Sequence, residues 1–310
     1  MDKISDAYKE FAKDSYSTIN AAMRDGLSKS GDLAMLVVSG EMHRDLPEQG
    51  FLDFFIPAKH EEPALAAAYS HIAAIQSAID VAGKENVVVS FELNDTLLEK
   101  SLGVVDQIQE LRQQGELGNV NSEAGWMYNT FPYFHAMEFA KSQGLVIVGS
   151  DPGRGKDFSS DSQERRDAEV DALGKLALQT ADIPRVVVHV GGEAHFITLQ
   201  GHPYNFDTSV YENKTHSDAV SPFEGIYGSQ IFINSDQPVI DVIGRDIVAY
   251  IRNPENAIQL DPPGKMDASD INDISMRIQE FSTALKATQP ETPTSEINPE
   301  ALNKVDVPKI

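Results

Sequence analysis

The sequence predicts an α/β protein: a three-layer fold in which helices cover both faces of a largely parallel or mixed central sheet. Two observations lead to this fold class. Short apolar runs rich in β-branched residues alternate with longer helical patterns, and those runs are continuously apolar, which is typical of strands buried on both faces. Right-handed crossovers through the intervening helices would make these strands parallel. The four runs are 33–39, 86–92, 145–151 and 185–190.

The helical patterns fall between these strands and at both ends of the chain. Apolar residues spaced by three, four and eight predict an amphipathic helix over the first thirty residues, ended by Gly31. A second helix is predicted to begin near Pro63 and to end near Gly83. Further helices are predicted at 95–115, 132–144, 162–181 and 267–287.

The later part of the chain is predicted to complete one domain that extends over residues 1–287. Two apolar segments at 228–234 and 238–244 resemble a strand pair, and their short connection favours an antiparallel arrangement at a sheet edge. The polar stretch 201–225 is long enough for a lid or a binding loop. Residues 288–310 are rich in Pro, Thr and Glu and are predicted to form a disordered tail.

Composition and charge exclude several classes of function. The chain has 25 Lys plus Arg against 48 Asp plus Glu, a formal net charge of −23, which repels nucleic acid and anionic membrane surfaces. It has no cysteine, so disulfides, thiolate metal sites and cysteine nucleophiles are all excluded. The charged N-terminus predicts a protein that is cytoplasmic or exported without a cleavable signal, and no segment has membrane-spanning length. Oligomeric state stays open.

One short sequence pattern occurs twice. Residues 37–43 read VVSGEMH and residues 188–195 read VHVGGEAH, so that an apolar run ends at Gly and then presents a Glu and a His. Either copy alone is a weak pattern, and its Glu could simply cap the following helix. Because the two copies share the same strand context, we interpret Glu41, His43, Glu193 and His195 as candidate site residues.

Two more acidic residues follow predicted strands. Glu92 ends the second strand and Asp151 the third, although an Asp-Pro-Gly sequence also favours a turn at Asp151. Ligands of open parallel sheets collect at the carboxyl ends of the strands. We therefore expect these acids and the two histidines to share one rim if the strands are neighbours.

Imidazoles and carboxylates at one rim suit two kinds of hydrolysis. In the first, His43, His195 and Glu92 hold a divalent metal such as Zn²⁺, Mn²⁺ or Co²⁺, and an open coordination position activates water. In the second, no metal is needed, and one histidine oriented by a carboxylate deprotonates water. Arg166 lies near a predicted helix start, where it could stabilise an oxyanion or form a surface salt bridge.

The order of these motifs resembles a known superfamily over roughly residues 33–200. The chain is similar to the group that joins Tiki/TraB metal-dependent proteases, erythromycin esterases, iron-regulated haem-binding (ChaN-like) lipoproteins and a domain of Pasteurella-type toxins. The motifs that carry the resemblance are GEMH at 40–43, FE at 91–92, W-x-Y from Trp126, RRD at 165–167 and GEAH at 192–195.

The resemblance implies a site and several activities. His43 and His195 would be the paired histidines, Glu41 and Glu92 the acids, and Arg166 with Asp167 the Arg-Asp pair that opens a helix. The esterase branch implies a general-base histidine, and the Tiki branch implies a divalent metal, with a small-molecule or peptide substrate. The haem-binding branch implies a binding protein without turnover, and the toxin branch implies a secreted effector module.

Other notable residues are predicted to have structural roles. His71 and His135 lie in helical segments and His189 lies within a strand, where structural or solvated positions are more usual than ligation. Trp126, the only Trp, lies in an aromatic cluster that is more typical of a core than of a substrate platform.

Overall fold

The fold was analysed in a computed structural model of the 310-residue chain. The described residues form five helices of nine residues or more and eight strands. These residues are 6–41, 64–151, 169, 171–177, 186–192, 197–200, 226–234, 248–251, 257–259, 276, 279–283 and 285.

A six-stranded sheet forms the centre of the described part, with strand order β3-β2-β4-β1-β6-β8. Every neighbouring pair in it is parallel. The strands are β1 (Met35–Glu41), β2 (Val87–Phe91), β3 (Val146–Gly149), β4 (Val186–Gly192), β6 (Ser229–Asn234) and β8 (Ala257–Gln259). The predicted α/β class is thereby confirmed, and the sheet is parallel rather than mixed in all the pairs described.

The helices follow the predicted order. They are α1 (Asp6–Ser30), α2 (Ala64–Ala82), α3 (Asp95–Gln114), α4 (Ser122–Thr130) and α5 (Tyr133–Ser142), with short 3₁₀ turns at Lys84–Asn86 and Leu117–Asn119. Gly31 and Gly83 follow α1 and α2 at φ 61° and 84°, a backbone conformation that favours glycine. α4, within the aromatic segment, was not predicted. None of the helices in the described ranges combines the length and the apolarity needed to cross a membrane.

Alternate strand residues face two separate cores. Met35 and Val37 of β1 pack into a large core with α1, α2, α3, α4 and α5. Leu36 and Val38 pack on the opposite face, against Leu173 of the helical segment 171–177. Because side chains alternate along a strand, the sheet has helices on both faces, as a three-layer fold requires. The face that carries Met35 is called the first face below, and the opposite one the second face.

β4 lies between β1 and β2 although it comes last of the three in the sequence. It pairs in parallel with both of them, and Val188 of β4 lies beside Val37 of β1 and Val89 of β2. The two segments that carry the repeated motif therefore leave adjacent strands at the same end of the sheet.

The prediction that residues 228–234 form an antiparallel strand at the sheet edge is wrong. Ser229–Asn234 of this segment do form a strand, β6, but it lies inside the sheet and runs parallel to both β1 and β8. The parallel partners supply the hydrogen bonds that an edge hairpin would otherwise supply. The second predicted member, 238–244, lies outside the described residues. A separate antiparallel pair, β5 (Ile197–Gln200) with β7 (Val248–Ile251), was not predicted.

Several other predictions fall wholly or partly outside the described residues. Of the helix predicted at 162–181, residues 169 and 171–177 are helical, and of the one at 267–287, residues 276, 279–283 and 285 are. The 201–225 loop and the 288–310 tail lie outside, so the single domain at 1–287 stays a prediction.

Candidate functional site

The candidate site lies at the carboxyl ends of β1, β4 and β2. Gly40 is paired with Gly191, and Glu41 with Gly192, so the two copies of the motif are displaced by one residue. On the other side of β4, the backbone N–H of Glu92 donates to the Val190 carbonyl at 3.0 Å. Three strand ends thus lie side by side, with Glu92 continuing the sheet by one hydrogen bond beyond β2.

The structure describes some of the predicted site residues and leaves others out. Glu92 is described and is partly buried, and Glu41 is described as the last residue of β1 in its backbone alone. Both belong to the same end of the sheet. The remaining predicted site residues lie outside the described part: His43, Arg166, Asp167, Glu193 and His195.

A tight turn fixes Glu92 between β2 and α3. The N–H of Leu93 donates back to the Phe91 carbonyl at 2.7 Å, which bends the chain directly after the strand. Asn94 then caps α3 by accepting from the Leu97 N–H at 2.9 Å. Glu92 is therefore held within three residues of a helix N-terminus, whose partial positive charge favours anionic groups nearby.

The end of β3 packs closely against this turn. Ser150 donates to the Phe91 carbonyl through both its backbone N–H, at 2.9 Å, and its hydroxyl, at 3.1 Å. The Asp151 N–H donates to the Leu93 carbonyl at 3.3 Å. A Cβ at Gly149 would lie 2.3 Å from that same carbonyl oxygen, so the contact requires glycine. Asp151 thus follows β3 beside the turn that carries Glu92.

A buried histidine lies directly beneath this rim, on the second face. His189 of β4 is completely buried, and its Nδ1 lies 3.3 Å from the Ser90 hydroxyl of β2. Its Nε2 lies 3.4 Å from Oε1 of Glu169, a carboxylate that is only 2% exposed. The imidazole therefore lies between a strand hydroxyl and a buried acid.

Gly191 brings this histidine and Glu92 to one point. A Cβ on Gly191 would lie 2.6 Å from Nε2 of His189 and 3.2 Å from Oε2 of Glu92. A real side chain could not come so close. Glycine at this position allows the His189 imidazole and the Glu92 carboxylate to pack over the same stretch of β4 backbone.

The sequence predicted a structural position for His189, which its complete burial confirms, but it did not identify Glu169 as its neighbour. The available signal was the run RVVVHV, in which a polar ring interrupts a strand whose pattern indicates burial on both faces. A buried polar group needs partners, so the sequence could have prompted a search for one. That the acid is Glu169 depends on helix packing, which no local pattern contains.

The first face carries its own buried polar groups. His71 of α2 is completely buried, and its Nδ1 lies 2.7 Å from the Ser39 hydroxyl of β1. His135 of α5 is also buried and packs edge-on against Tyr128 with ring centroids 4.3 Å apart. Burial, with smaller contributions from Arg112 and His71, lowers the pKa of His135 from 6.5 to about 3.

An ion pair behind His135 ties three helices together. Arg112 of α3 donates to Glu138 of α5, and the Tyr128 hydroxyl of α4 donates to the same carboxylate. Burial, then the neighbouring Glu138, raises the pKa of Tyr128 well above its usual 10. The phenol therefore stays protonated, as a hydrogen-bond donor to the carboxylate must.

The described residues supply neither an accessible serine nucleophile near His189 nor a complete metal site. Ser90, His189 and Glu169 have the residue types of a serine nucleophile, base and orienting acid, but Ser90 is completely buried and out of reach of a substrate. At the rim, in contrast, Glu92 is partly exposed. Within the described ranges, no group of three or more His, Asp or Glu side chains could hold a metal ion. Glu92 is the only predicted metal ligand whose side chain those ranges include.

The Trp126 cluster is only partly a core. Tyr128 and Phe134 are fully buried, as predicted, but Trp126 is 37% exposed and packs edge-on against Phe131.

Comparisons with protein-family models, with curated proteins and with solved structures gave no match for this chain.

Proposed function

We propose that this protein is a hydrolase that activates a water molecule at the carboxyl ends of β1, β4 and β2. One observation carries the proposal: the two copies of the Gly-Glu-x-His pattern leave adjacent parallel strands, Gly40 lies beside Gly191, and Glu92 flanks β4 on its other side. Parallel strands with acids and imidazoles at their ends are a common place for ligands to bind. The resemblance to esterases and metal-dependent proteases supports the same reaction class.

Each proposed residue has a distinct part in the reaction. His43 acts as the general base that takes a proton from water, or as a metal ligand, and His195 completes the site from the adjacent strand. Glu41 and Glu92 orient the imidazoles or bind metal. Arg166, three residues before Glu169 in the sequence, binds an anionic group of the substrate or stabilises the developing oxyanion.

A divalent ion would supply a more acidic water and a Lewis acid for the carbonyl or phosphoryl oxygen. Its ligands would be His43, His195 and Glu92, a neutral nitrogen and carboxylate set of the kind that Zn²⁺, Mn²⁺ and Co²⁺ accept. In the metal-free form of the reaction, the same three residues would hold water and substrate in place.

The direct test is hydrolysis of a panel of ester and peptide substrates. The purified full-length chain is assayed with a chelator and with added Mn²⁺, Co²⁺ or Zn²⁺. His43→Ala, His195→Ala and Glu92→Gln should each lower turnover by about 10²- to 10⁴-fold, since general-base catalysis contributes that much. The control is His60→Ala, which removes a histidine that lies outside both motifs.

Elemental analysis separates the two forms of the reaction. Bound metal that is lost in the His43→Ala and His195→Ala proteins supports the metal-dependent form, and turnover in the presence of chelator supports the metal-free form. Unchanged turnover in a folded His43→Ala protein would contradict the proposal. A Soret band on haem titration, without hydrolysis, would instead favour the haem-binding alternative.

A further inference from the structure

We infer that His189 is a positioning residue of this site: it supports the Glu92 carboxylate over Gly191, and Ser90 and Glu169 lie beside its ring. This inference rests on the proposed function for its catalytic consequence, but the placement of Glu92 is a structural claim that can be tested separately. His189 touches no substrate, because it is completely buried beneath the rim.

The first step of the argument is the cost of burying these groups. Glu169 is 2% exposed and His189 is completely buried, and a buried carboxylate or imidazole destabilises a fold unless it is paired. The neighbouring strand positions are valines, which a simple core would also accept here. An acid and an imidazole that contact each other 3.4 Å apart therefore need a reason beyond filling space.

The second step is the direction in which the ring points. Nδ1 lies towards Ser90, 3.3 Å away, and Nε2 lies both near Glu169 and over Gly191. The hydroxyl beside Nδ1 and the carboxylate near Nε2 both restrict how the ring can turn. A ring so fixed can act as a rigid support for what lies above it.

The third step is what lies above it. The Glu92 carboxylate and the His189 ring crowd the same point over Gly191, and Gly191 is four residues before His195 in the sequence. We therefore expect a change in the ring to move the Glu92 carboxylate. Small misplacements of such groups lower the catalytic rate strongly, because reacting groups must be held within about 0.5 Å of their productive positions.

The test compares His189 with a histidine of equal burial on the first face. His189→Leu removes the ring, and His189→Gln keeps a polar side chain with an amide nitrogen near Glu169. His71→Leu is the matched control, because His71 is also completely buried and also contacts a strand serine. Glu169→Gln, which keeps its shape and loses its charge, is the second variant if the leucine protein fails to fold.

With the hydrolysis assay, we expect His189→Leu to lower kcat by roughly 100-fold with KM within about twofold, because the substrate does not contact the ring. His189→Gln should recover most of that loss, and His71→Leu should leave the kcat of the folded protein unchanged. In a Glu92→Gln background, His189→Leu should cost less than about twofold, because residues that act as one unit are not additive. Losses that multiply, or equal losses in the two leucine proteins, would overturn the inference.

A structural measurement decides the case in which no substrate of the panel is hydrolysed. Crystal structures of His189→Leu, or of Glu169→Gln, should show the Glu92 carboxylate displaced from Gly191 by more than about 0.5 Å, with no displacement in His71→Leu. Displacement without any hydrolysis would reject the proposed function and keep the positioning role. A carboxylate that does not move would reject the positioning role by itself.

Discussion

The two faces of the sheet use the same residue type in two different ways. On the first face, His71 contacts the hydroxyl of Ser39, two residues before the end of β1. On the second face, His189 contacts the hydroxyl of Ser90 and also the carboxylate of Glu169, and it packs beside Glu92. Two equally buried imidazoles therefore have different surroundings, since the carboxylates of Glu169 and Glu92 both lie near His189.

The largest effect that we expect concerns pH and the first face. Burial lowers the pKa of His135 to about 3, with Arg112 and His71 adding to the effect, while an unfolded chain titrates near 6.5. Below about pH 6.5 the unfolded state binds a proton that the folded state does not accept until about pH 3. The free energy of unfolding should therefore fall across that window, by roughly 5 kcal/mol in total at 1.36 kcal/mol per pKa unit.

The measurement is denaturant unfolding between pH 7 and pH 3.5 for the wild type and for His135→Leu. The leucine protein should gain stability relative to the wild type as the pH falls, because it lacks the titrating ring. Glu138, Arg112, Tyr128 and His71 remain in both proteins and cancel in the difference. Two curves that stay parallel would show that His135 titrates normally in the folded state.

The next largest effect on stability is expected from the ion pair between Arg112 and Glu138. Glu138→Gln should lower the free energy of unfolding by about 3 kcal/mol, because it leaves the half-buried Arg112 guanidinium without its counter-charge. The control is Glu123→Gln, which breaks an exposed pair with Lys100 and should cost less than about 1 kcal/mol. Thermal or urea unfolding measures both. Equal costs would mean that the network on the first face contributes no more than a surface contact.

A smaller effect is expected at the contact point on the second face. Gly191→Ala should destabilise the fold by about 2 kcal/mol, since its Cβ would meet the buried ring of His189 and the Glu92 side chain. Gly103→Ala is the matched control, because a Cβ at this position in α3 would meet no atom within 4 Å. It should stabilise the helix by about 0.5–1 kcal/mol. Stabilisation in both proteins would show that the second face can accept a Cβ at Gly191 without a clash.

The smallest effect compares the two strand serines. Ser39→Ala should cost about 1 kcal/mol, because it removes a 2.7 Å contact to the His71 ring. Ser90→Ala should cost about half as much, because its contact to His189 is longer, at 3.3 Å. Urea unfolding resolves the order. A larger cost at Ser90 than at Ser39 would contradict this order.

Local patterns account for much of the fold and for part of the site. The apolar runs and the glycines after the helices predicted β1, β2, β3, β4 and β6 and the ends of α1 and α2, because these signals lie within a few residues of the element they define. They predicted Glu92 as the last residue of the second strand, whereas β2 ends one residue earlier, at Phe91. The insertion of β4 between β1 and β2 was not predictable in this way, since strand order depends on long-range pairing. Glu169 as the partner of His189 depends on the same long-range packing, and the roles of His43 and His195 stay predictions.

The position of β4 also bears on how the chain folds as it is synthesised. β1 and β2 do not pair with each other, and the strand that joins them begins only at Val186. When the ribosome has released the first 150 residues, β4 has not yet been synthesised. The edges of β1 and β2 that β4 will pair with are therefore still unpaired. Such edges promote aggregation, and pairings between distant residues slow folding. A nascent chain stalled before residue 186 should therefore be protease-sensitive, with cooperative folding beginning only after β4 has emerged.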